Sequence, residues 1–314
     1  MRSNAIQERG PQADRTRFAH FGWAVESDLD LGGLFQPAPA TLATGATLRL
    51  GCIAETERLQ AMGGGMATLP SGGVLTHVRG FGFARVEGGR DVTLDLLPDA
   101  DMGLARALFA GRLGGALVFQ KGLVPLHASA VIIGGRALLV AGPSGAGKST
   151  LVAALLGRGH PLLSDDLCVP VERDGRWHAL AGLSAVKLLP ATLAHLGIDD
   201  APLAPLSAGG NKRLLPAACA RAGSRYAIAG IAVLSPFEVD GPAVLKSLSP
   251  LDRLRSLEVA GYQFRAGFAR PYRAGAAAQF ARLAAAVPMW RLRRPMDMTL
   301  LSRSADLLEA AALA

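Results

Sequence analysis

The pattern of hydrophobic and polar positions changes character near residue 100. From Phe18 to about Pro98, short apolar runs alternate with polar residues, as in HFGWAVESDL, ATLRLGCI and GFARVEGGRDVTLDLL. A period of two is typical of β-strands, and the two halves of the last run flank the pair Gly88-Gly89, which predicts a hairpin. We therefore expect a small β-rich N-terminal domain.

The segment that follows changes to helical spacing. Apolar residues in MGLARALFAGRLGGALVFQ, residues 102–120, recur every three or four positions, although Gly114-Gly115 weakens the second half. The next stretch, VPLHASAVIIGGRALLVAGPSGAGKSTLVAALLGRGHPLLSDDLCVPV, predicts a strand pair, a glycine-rich loop, a helix and a further strand. Short strands are expected over residues 175–250, and helices over 274–287 and 303–313.

These patterns predict an α/β protein in three parts. Residues 1–16 are expected to form a disordered leader, and residues 17–120 a smaller β-rich α+β domain with a connecting helix. Residues 121–314 are expected to form the main α/β domain. With 50% hydrophobic and 18% charged residues and a mean hydropathy of +0.28, the chain can bury a large core.

Composition also bears on compartment. Charged residues or Gly-Pro breaks interrupt the apolar runs before they reach the roughly 20 residues of a membrane span, so we expect no membrane insertion. The polar N-terminus does not resemble a secretion signal. Cys52, Cys168 and Cys219 are too far apart for a zinc motif, which favours a reducing cytoplasm.

The net charge of +8 suggests an acidic partner. Aromatic residues make up only 5% and do not alternate with basic ones, and we find no helix-turn-helix pattern, so specific nucleic-acid binding is not expected. Residues 250–305 carry ten arginines and no lysine. Either this segment meets an anion, or its arginines solvate alanine-rich helices.

The motif with the clearest chemistry is GPSGAGKS, a complete G-x-x-x-x-G-K-S phosphate loop between a β-run and a helix. Its glycines allow backbone N–H groups to surround phosphate. The lysine would neutralise the β- and γ-phosphates, and the following serine would ligate Mg²⁺. The sequence therefore predicts ATP and Mg²⁺ as cofactors, bound by Gly142, Pro143, Ser144, Gly145, Ala146, Gly147, Lys148, Ser149 and Thr150.

Three further residues are candidates for the same site. Asp165 and Asp166 follow the predicted strand after the loop's helix, at the expected sheet end of the loop; one acid would serve the metal and the other would accept a proton. A helix cap or solvated turn is the alternative for this pair. His127 precedes the strand pair that enters the loop and could reach the site, or be a core histidine. His160 is expected only to bend the chain.

Residues 126–166 resemble the catalytic core of the HPr kinase/phosphorylase family, whose nucleotide fold is similar to that of phosphoenolpyruvate carboxykinase. The resemblance rests on LHAS, the loop fifteen residues after the histidine, and RGHPLLSDD. It implies that Asp166 accepts the proton of a substrate serine, that His127 is its partner, and that Asp165 orients groups or holds metal. Rings formed by related enzymes make a homo-oligomer one expectation.

The chain also departs from that family. Bifunctional members carry a Glu beside Arg-Gly past the loop, whereas WHALAGLSAVKLLP, residues 177–190, contains no acid. We therefore expect phosphorylation without the reverse reaction. FGWAVESDLDL and VPMWRLRRPMDMTLLSRSADLL resemble the shorter HPr-kinase-related proteins of peptide natural-product pathways. That resemblance implies a precursor-peptide acceptor.

Lys187 and the cluster Asn211, Lys212 and Arg213 are candidates for phosphate or acceptor contacts, with a solvated turn as the alternative for Lys212 and Arg213. Arg265, Arg270 and Arg273 are candidates for contacts with an anionic acceptor or with ATP of a neighbouring subunit. The predicted function is ATP-dependent phosphorylation of a serine on a peptide or small protein. The alternatives are an HPr-type phosphocarrier kinase, a small-molecule kinase and a non-catalytic ATP-binding regulator.

Overall fold

The structure is a computed structural model that describes residues 15–61, 65–235, 241–262, 272–295 and 297–314. Most of the expected leader lies outside these ranges, and the first strand begins at Thr16. Both the leader and the expected domain boundaries therefore stay predictions.

The N-terminal part is a seven-stranded sheet with one short helix, α1 (Glu55–Ala61). The strands are β1 (Thr16–His20), β2 (Trp23–Ser27), β3 (Thr44–Leu50), β4 (Gly65–Thr68), β5 (Val74–Val78), β6 (Gly82–Glu87) and β7 (Asp91–Leu96). Their order in the sheet is β1-β2-β3-β7-β6-β5-β4. The hairpin between β6 and β7 pairs Val86 with Val92 across the turn at Gly88-Gly89, which confirms that prediction.

A continuous helical segment connects this sheet to the rest of the chain. It consists of α2 (Met102–Leu108), a π-helical stretch (Phe109–Leu113) and α3 (Gly114–Gln120). By length and composition it could cross a bilayer, contrary to our expectation that no run is long enough, and 61% of its most apolar window is buried inside the protein. One such helix is weak evidence for a membrane span, because the buried core helix of a folded domain passes the same test.

The second sheet has eight strands, in the order β10-β8-β9-β15-β12-β11, with β17 pairing both β15 and β16. Its strands are β8 (Ala128–Ile133), β9 (Arg136–Ala141), β10 (Leu162–Ser164), β11 (Pro170–Arg173), β12 (Arg176–Leu180), β15 (Arg225–Leu234), β16 (Val244–Ser247) and β17 (Met289–Arg293). A separate pair is formed by β13 (Ala185–Leu188) and β14 (Arg213–Pro216).

Helices cover both faces of this sheet. The core on one face is built from α4 (Lys148–Gly157) and α8 (Leu301–Leu313), which share a hydrophobic cluster with alternate residues of β8 and β9. The core on the other face includes α6 (Pro250–Ala260), α7 (Arg273–Ala286) and the segment 102–120. That second cluster continues into the N-terminal sheet, so one apolar core joins residues of both sheets.

Three helices were not expected from the sequence, α1 in the N-terminal part and α5 (Pro190–His195) and α6 in the rest of the chain. α5 begins at a proline, which suits the first helical position, and α6 begins after Ser249, whose side chain accepts from the backbone N–H of Asp252. The helices expected over 274–287 and 303–313 match α7 and α8 within a few residues.

Candidate functional site

The three sequence motifs come to one edge of the second sheet. β8 is antiparallel to both β9 and β10, so its first residue stands beside the last residues of its two neighbours. His127 directly precedes β8, the loop 142–147 follows β9, and Asp165 and Asp166 follow β10. This topology brings together residues that are up to 39 positions apart.

The loop leads directly into α4. Gly147 is the residue before the helix and has φ of +84°, a left-handed conformation that glycine adopts without steric cost. Lys148 is buried, and its Nζ donates to the carbonyl oxygens of Gly142 at 2.9 Å and Pro143 at 3.0 Å. Burial lowers the pKa of Lys148, while the two nearby aspartates oppose that shift. The lysine is thus held against the loop by neutral carbonyls.

Asp165 is fully buried and accepts three hydrogen bonds. Its Oδ1 receives the hydroxyls of Ser129 at 2.6 Å and Ser149 at 3.0 Å, and its Oδ2 receives the backbone N–H of Lys187 at 3.0 Å. This network holds the Asp165 carboxyl group beside the first turn of α4.

The residues present suit Mg²⁺ bound together with a nucleotide. Magnesium in phosphate sites takes one or two protein oxygens and completes its shell with phosphate and water, and the Ser149 hydroxyl and the Asp165 carboxylate already meet here. Among the described residues, three or more His, Cys, Asp or Glu side chains nowhere cluster in a way that could hold a metal by themselves. Ser149 and Asp165 would therefore hold Mg²⁺ only with the nucleotide's help.

Asp166 lies between two basic side chains. Its Oδ1 is 3.1 Å from Nε2 of His127, and its Oδ2 is 2.6 Å from Nζ of Lys187. Burial acts to raise the pKa of Asp166, but the charge of Lys187 and the bonds from both partners outweigh it, so the pKa lies well below its usual value. The backbone φ of +69° is uncommon for a residue with a side chain. The carboxylate is thus ionised and held in a strained position.

Tyr262 forms part of the wall beside this pair, a role that the sequence did not predict. Its ring stands edge-on to His127 with 5.8 Å between centroids, and its pKa is raised by burial and by the charge of Asp166. Gly111 and Gly115 of the helical segment leave the room for it, because a Cβ on either would lie 2.7–2.8 Å from Tyr262. Gly111 and Gly115, of which only Gly115 belongs to the pair that weakens the predicted helix, therefore allow close packing at the site.

Lys187 lies in the site, and the other candidate residues lie in different surroundings. Lys212 is exposed, yet its charge contributes to lowering the pKa of Lys148. Arg213 pairs with Asp200 at 3.8 Å. The remaining candidates are Asn211, which is exposed, Arg273, which begins α7, and Arg265 and Arg270, which lie outside the described residues.

One histidine and one arginine outside the motifs differ in their relation to the site. His160 contacts Glu309 of α8 at 2.7 Å and does not belong to the site. Arg294, to which the sequence assigned no role, contacts the loop through the carbonyl oxygen of Ala146 at 3.2 Å. No local pattern marks such a residue, because its position depends on the pairing of β17 with β15.

A cavity of about 390 Å³ opens beside the loop. Most of its lining is apolar, and it lies between the start of the loop, the end of β15 and helix α6. Its walls include Gly142, Pro143, Ser235, Arg255, Val259 and Arg291. Ala260 also lines this cavity, and its carbonyl oxygen accepts a hydrogen bond from the backbone N–H of His127 at 2.6 Å.

Comparisons with known proteins give limited information. No family model matches the chain, and no curated protein does. Among solved structures, it is similar to one described as the HPr(Ser) kinase/phosphatase from Coxiella burnetii, at 13% identity over 60% of this chain and 96% of that chain, with a TM-score of 0.32. A likeness at that level carries no argument about family or activity. The family resemblance of residues 126–166 therefore stays a hypothesis.

Proposed function

We propose that this protein is an ATP-dependent kinase that phosphorylates a serine hydroxyl on a peptide or small protein. The observation that carries the proposal is the position of an ionised Asp166, bound by His127 and Lys187, at the sheet edge where Lys148 and Ser149 begin a helix behind a glycine-rich loop. Phosphoryl transfer needs phosphate binding, charge neutralisation and a proton acceptor, and these residues supply each of them.

In this reaction the serine oxygen bonds to the γ-phosphorus, while the bond from that phosphorus to the bridging oxygen of ADP breaks. The carboxylate of Asp166 accepts the serine proton, and ADP leaves with the electron pair of the broken bond. The loop N–H groups and Lys148 bind the phosphates. Mg²⁺, when bound with ATP, would neutralise charge on the phosphate oxygens.

Lys187 acts on both the proposed base, Asp166, and the phosphate-binding Lys148. A carboxylate whose pKa lies far below neutrality is a weak base. Burial raises the pKa of Asp166, and the Lys187 ammonium is the chief cause that lowers it. The charge of Lys187 also contributes to lowering the pKa of Lys148, which indicates that the two ammonium groups are close. We infer that a γ-phosphate competes with Asp166 for Lys187 and so makes Asp166 a stronger base once ATP is bound.

The forward direction is favoured by the residues of β13. This strand supplies Lys187 to both aspartates and contributes no acid to the site. β13 therefore brings a cation and no acid to the site, whereas bifunctional kinases carry an extra metal-side acid past the loop, and on this difference we propose that the reaction runs forward only.

Recognition of an extended peptide is supported by the N-terminal sheet. The outer edge of β1 is already bonded to the segment 36–38, because Ala19 donates to Gln36 and Ala38 donates to Arg17. β4 is the other terminal strand of the sheet among the described residues. An edge strand can bind a peptide through main-chain hydrogen bonds. We propose that the acceptor peptide binds at the edge of β4. We also propose that the protein is cytoplasmic and that it can associate with a second copy of the chain.

The low pKa of Asp166 favours one alternative function, a regulator that binds ATP without transferring phosphate. Mass spectrometry of candidate serine peptides incubated with ATP and Mg²⁺ separates the two. If the protein is a kinase, the product carries one added phosphate on a serine. Asp166→Asn should lower the rate of this transfer by about two to four orders of magnitude. Asp99→Asn, at an exposed acid, is the matched control. Transfer by Asp166→Asn at the wild-type rate would place the base elsewhere.

The same assay tests the acceptor and the direction. Phosphate found on a small metabolite would refute the peptide acceptor. Release of phosphate from the phosphopeptide on addition of inorganic phosphate would refute the forward-only reaction. Nucleotide binding with no transfer to any acceptor would favour the regulator.

A further inference from the structure

A buried guanidinium lies against the phosphate loop. Arg294 directly follows β17 and is 7% exposed. Its Nη2 donates to the carbonyl oxygen of Ala146 at 3.2 Å, and a Cβ on Gly147 would collide with the same nitrogen. The cation therefore packs directly on the two residues that lead into α4.

The sheet topology explains why Arg294 reaches this place. β17 is parallel to β15, and β15 is parallel to β9, so Arg294 stands at the same edge as the loop that follows β9. It approaches from the side of β15, whereas β8 and β10 on the other side carry His127 and the two aspartates. The loop thus has the acids on one flank and Arg294 on the other.

The charge of Arg294 is poorly compensated. No carboxylate of the described residues lies within ion-pair distance of it, and a carbonyl oxygen is a neutral acceptor. A guanidinium stays charged in proteins, and burial without an anion is costly. Burial accordingly lowers the pKa of Arg294. An anion placed in the loop would supply the missing charge.

We propose that Arg294 is a nucleotide-binding residue that donates to a phosphate oxygen from the side of the loop opposite His127 and Asp166. The proposal rests on the phosphate site of the proposed function. A guanidinium has five N–H donors in a planar fork, so Arg294 can keep its bond to Ala146 and still donate to phosphate. Lys148 and Arg294 then hold the diphosphate as two separate cations.

A purely structural role for Arg294 would have a different signature. If the side chain only pins the loop through Ala146, a neutral donor at the same position suffices. If it binds phosphate, the charge itself is needed. Arg294→Gln separates these roles, because glutamine retains an N–H donor for the carbonyl and removes the charge.

The experiment measures binding by isothermal titration calorimetry with inorganic pyrophosphate, ADP and adenosine. We expect Arg294→Gln to weaken pyrophosphate and ADP by about 10- to 100-fold, the range of a charge-assisted hydrogen bond, and to leave adenosine binding unchanged. Arg303→Met, which removes one exposed arginine of α8, is the control for net charge and should bind as the wild type. Wild-type affinity of Arg294→Gln for pyrophosphate would overturn the proposal.

A measurement on the wild-type chain covers the case in which Arg294→Gln does not fold. In a pyrophosphate titration followed by NMR, the Nε–H resonance of Arg294 should shift and saturate together with the amides of the loop. Shifted loop amides with an unshifted Arg294 would overturn the role of Arg294 alone. If pyrophosphate does not bind the wild type, the phosphate site fails, and the proposed function fails with it.

Discussion

Replacing Lys187 is expected to change how activity depends on pH. In the wild type, Nζ of Lys187 is 2.6 Å from Oδ2 of Asp166, and the lysine side chain is only 8% exposed. Lys187→Met removes this cation and leaves the burial of Asp166, which favours the protonated acid, opposed by His127 alone. The pKa of Asp166 should therefore rise.

The size of the rise follows from the pairing. An opposite charge in contact lowers a carboxyl pKa by about 1–3 units, so its removal should raise the pKa of Asp166 by about the same amount. A base must be ionised to accept a proton, so activity falls as pH drops through the pKa. The acidic limb of the kcat/KM profile should move upward by about 1–3 pH units, which corresponds to about 1.4–4 kcal/mol of lost pairing.

The assay is serine phosphorylation measured from pH 8 down to about pH 3, because the pKa of Asp166 in the wild type lies well below the usual carboxyl value. Lys187→Arg, which retains the positive charge, should keep the wild-type limb, and Lys246→Met at an exposed lysine is the control. Activity at neutral pH should also fall in Lys187→Met, by about 10- to 100-fold, if Lys187 bonds to the phosphate. An acidic limb that stays in place would show that Lys187 does not control the ionisation of Asp166.

Three further predictions concern the loop, the histidine and the core. Lys148→Ala should fold as the wild type but abolish productive ATP use, because the loop backbone forms without the lysine and the phosphates lose its charge; circular dichroism with an ATP-turnover assay checks both. His127→Ala should slow transfer by less than Asp166→Asn does and leave ADP affinity unchanged, since the polar contact of its side chain is with the base, Asp166. His20 is fully buried, and this burial, with the charge of Lys121, lowers its pKa to about 3. The free energy of unfolding is therefore fully retained above about pH 6.5, the pKa of histidine in the unfolded chain, and falls by about 1.4 kcal/mol per pH unit below it. Urea unfolding at pH 7 and pH 5 should show a loss of about 2 kcal/mol that His20→Leu abolishes and His195→Leu, at an exposed position, does not.

The local parts of the site could be predicted from the sequence because their chemistry follows the chain. The loop, its helix and the two aspartates occupy residues 142–166, and the pattern of strand, loop, helix and strand is enough to place them at one sheet edge. The hairpin at Gly88-Gly89 was equally local. Short-range patterns were therefore enough to indicate where the loop, the aspartates and the hairpin lie in the fold.

The other parts depend on contacts between distant segments. Arg294 reaches the loop only because β17 pairs in parallel with β15, and Lys187 reaches Asp166 because the backbone N–H of Lys187 binds the neighbouring Asp165. In the sequence, Ser129 is one of several small residues near the motif. In the structure, its hydroxyl donates a hydrogen bond to Asp165. No spacing rule in a single sequence indicates these pairings.

The helical segment 102–120 shows the same point most clearly, because its sequence suggests a connection and the structure makes it a wall of the site. Gly111 and Gly115 admit Tyr262, which stands against His127, while a Cβ on Gly114 of the same segment would lie 2.9 Å from Nε2 of His20 in β1. One helix thus packs against the N-terminal sheet on one side and against the wall of the site on the other. Phosphoryl transfer depends on reacting groups held to within a fraction of an ångström, so the N-terminal sheet contributes to the positioning of His127 and Asp166 although it supplies neither.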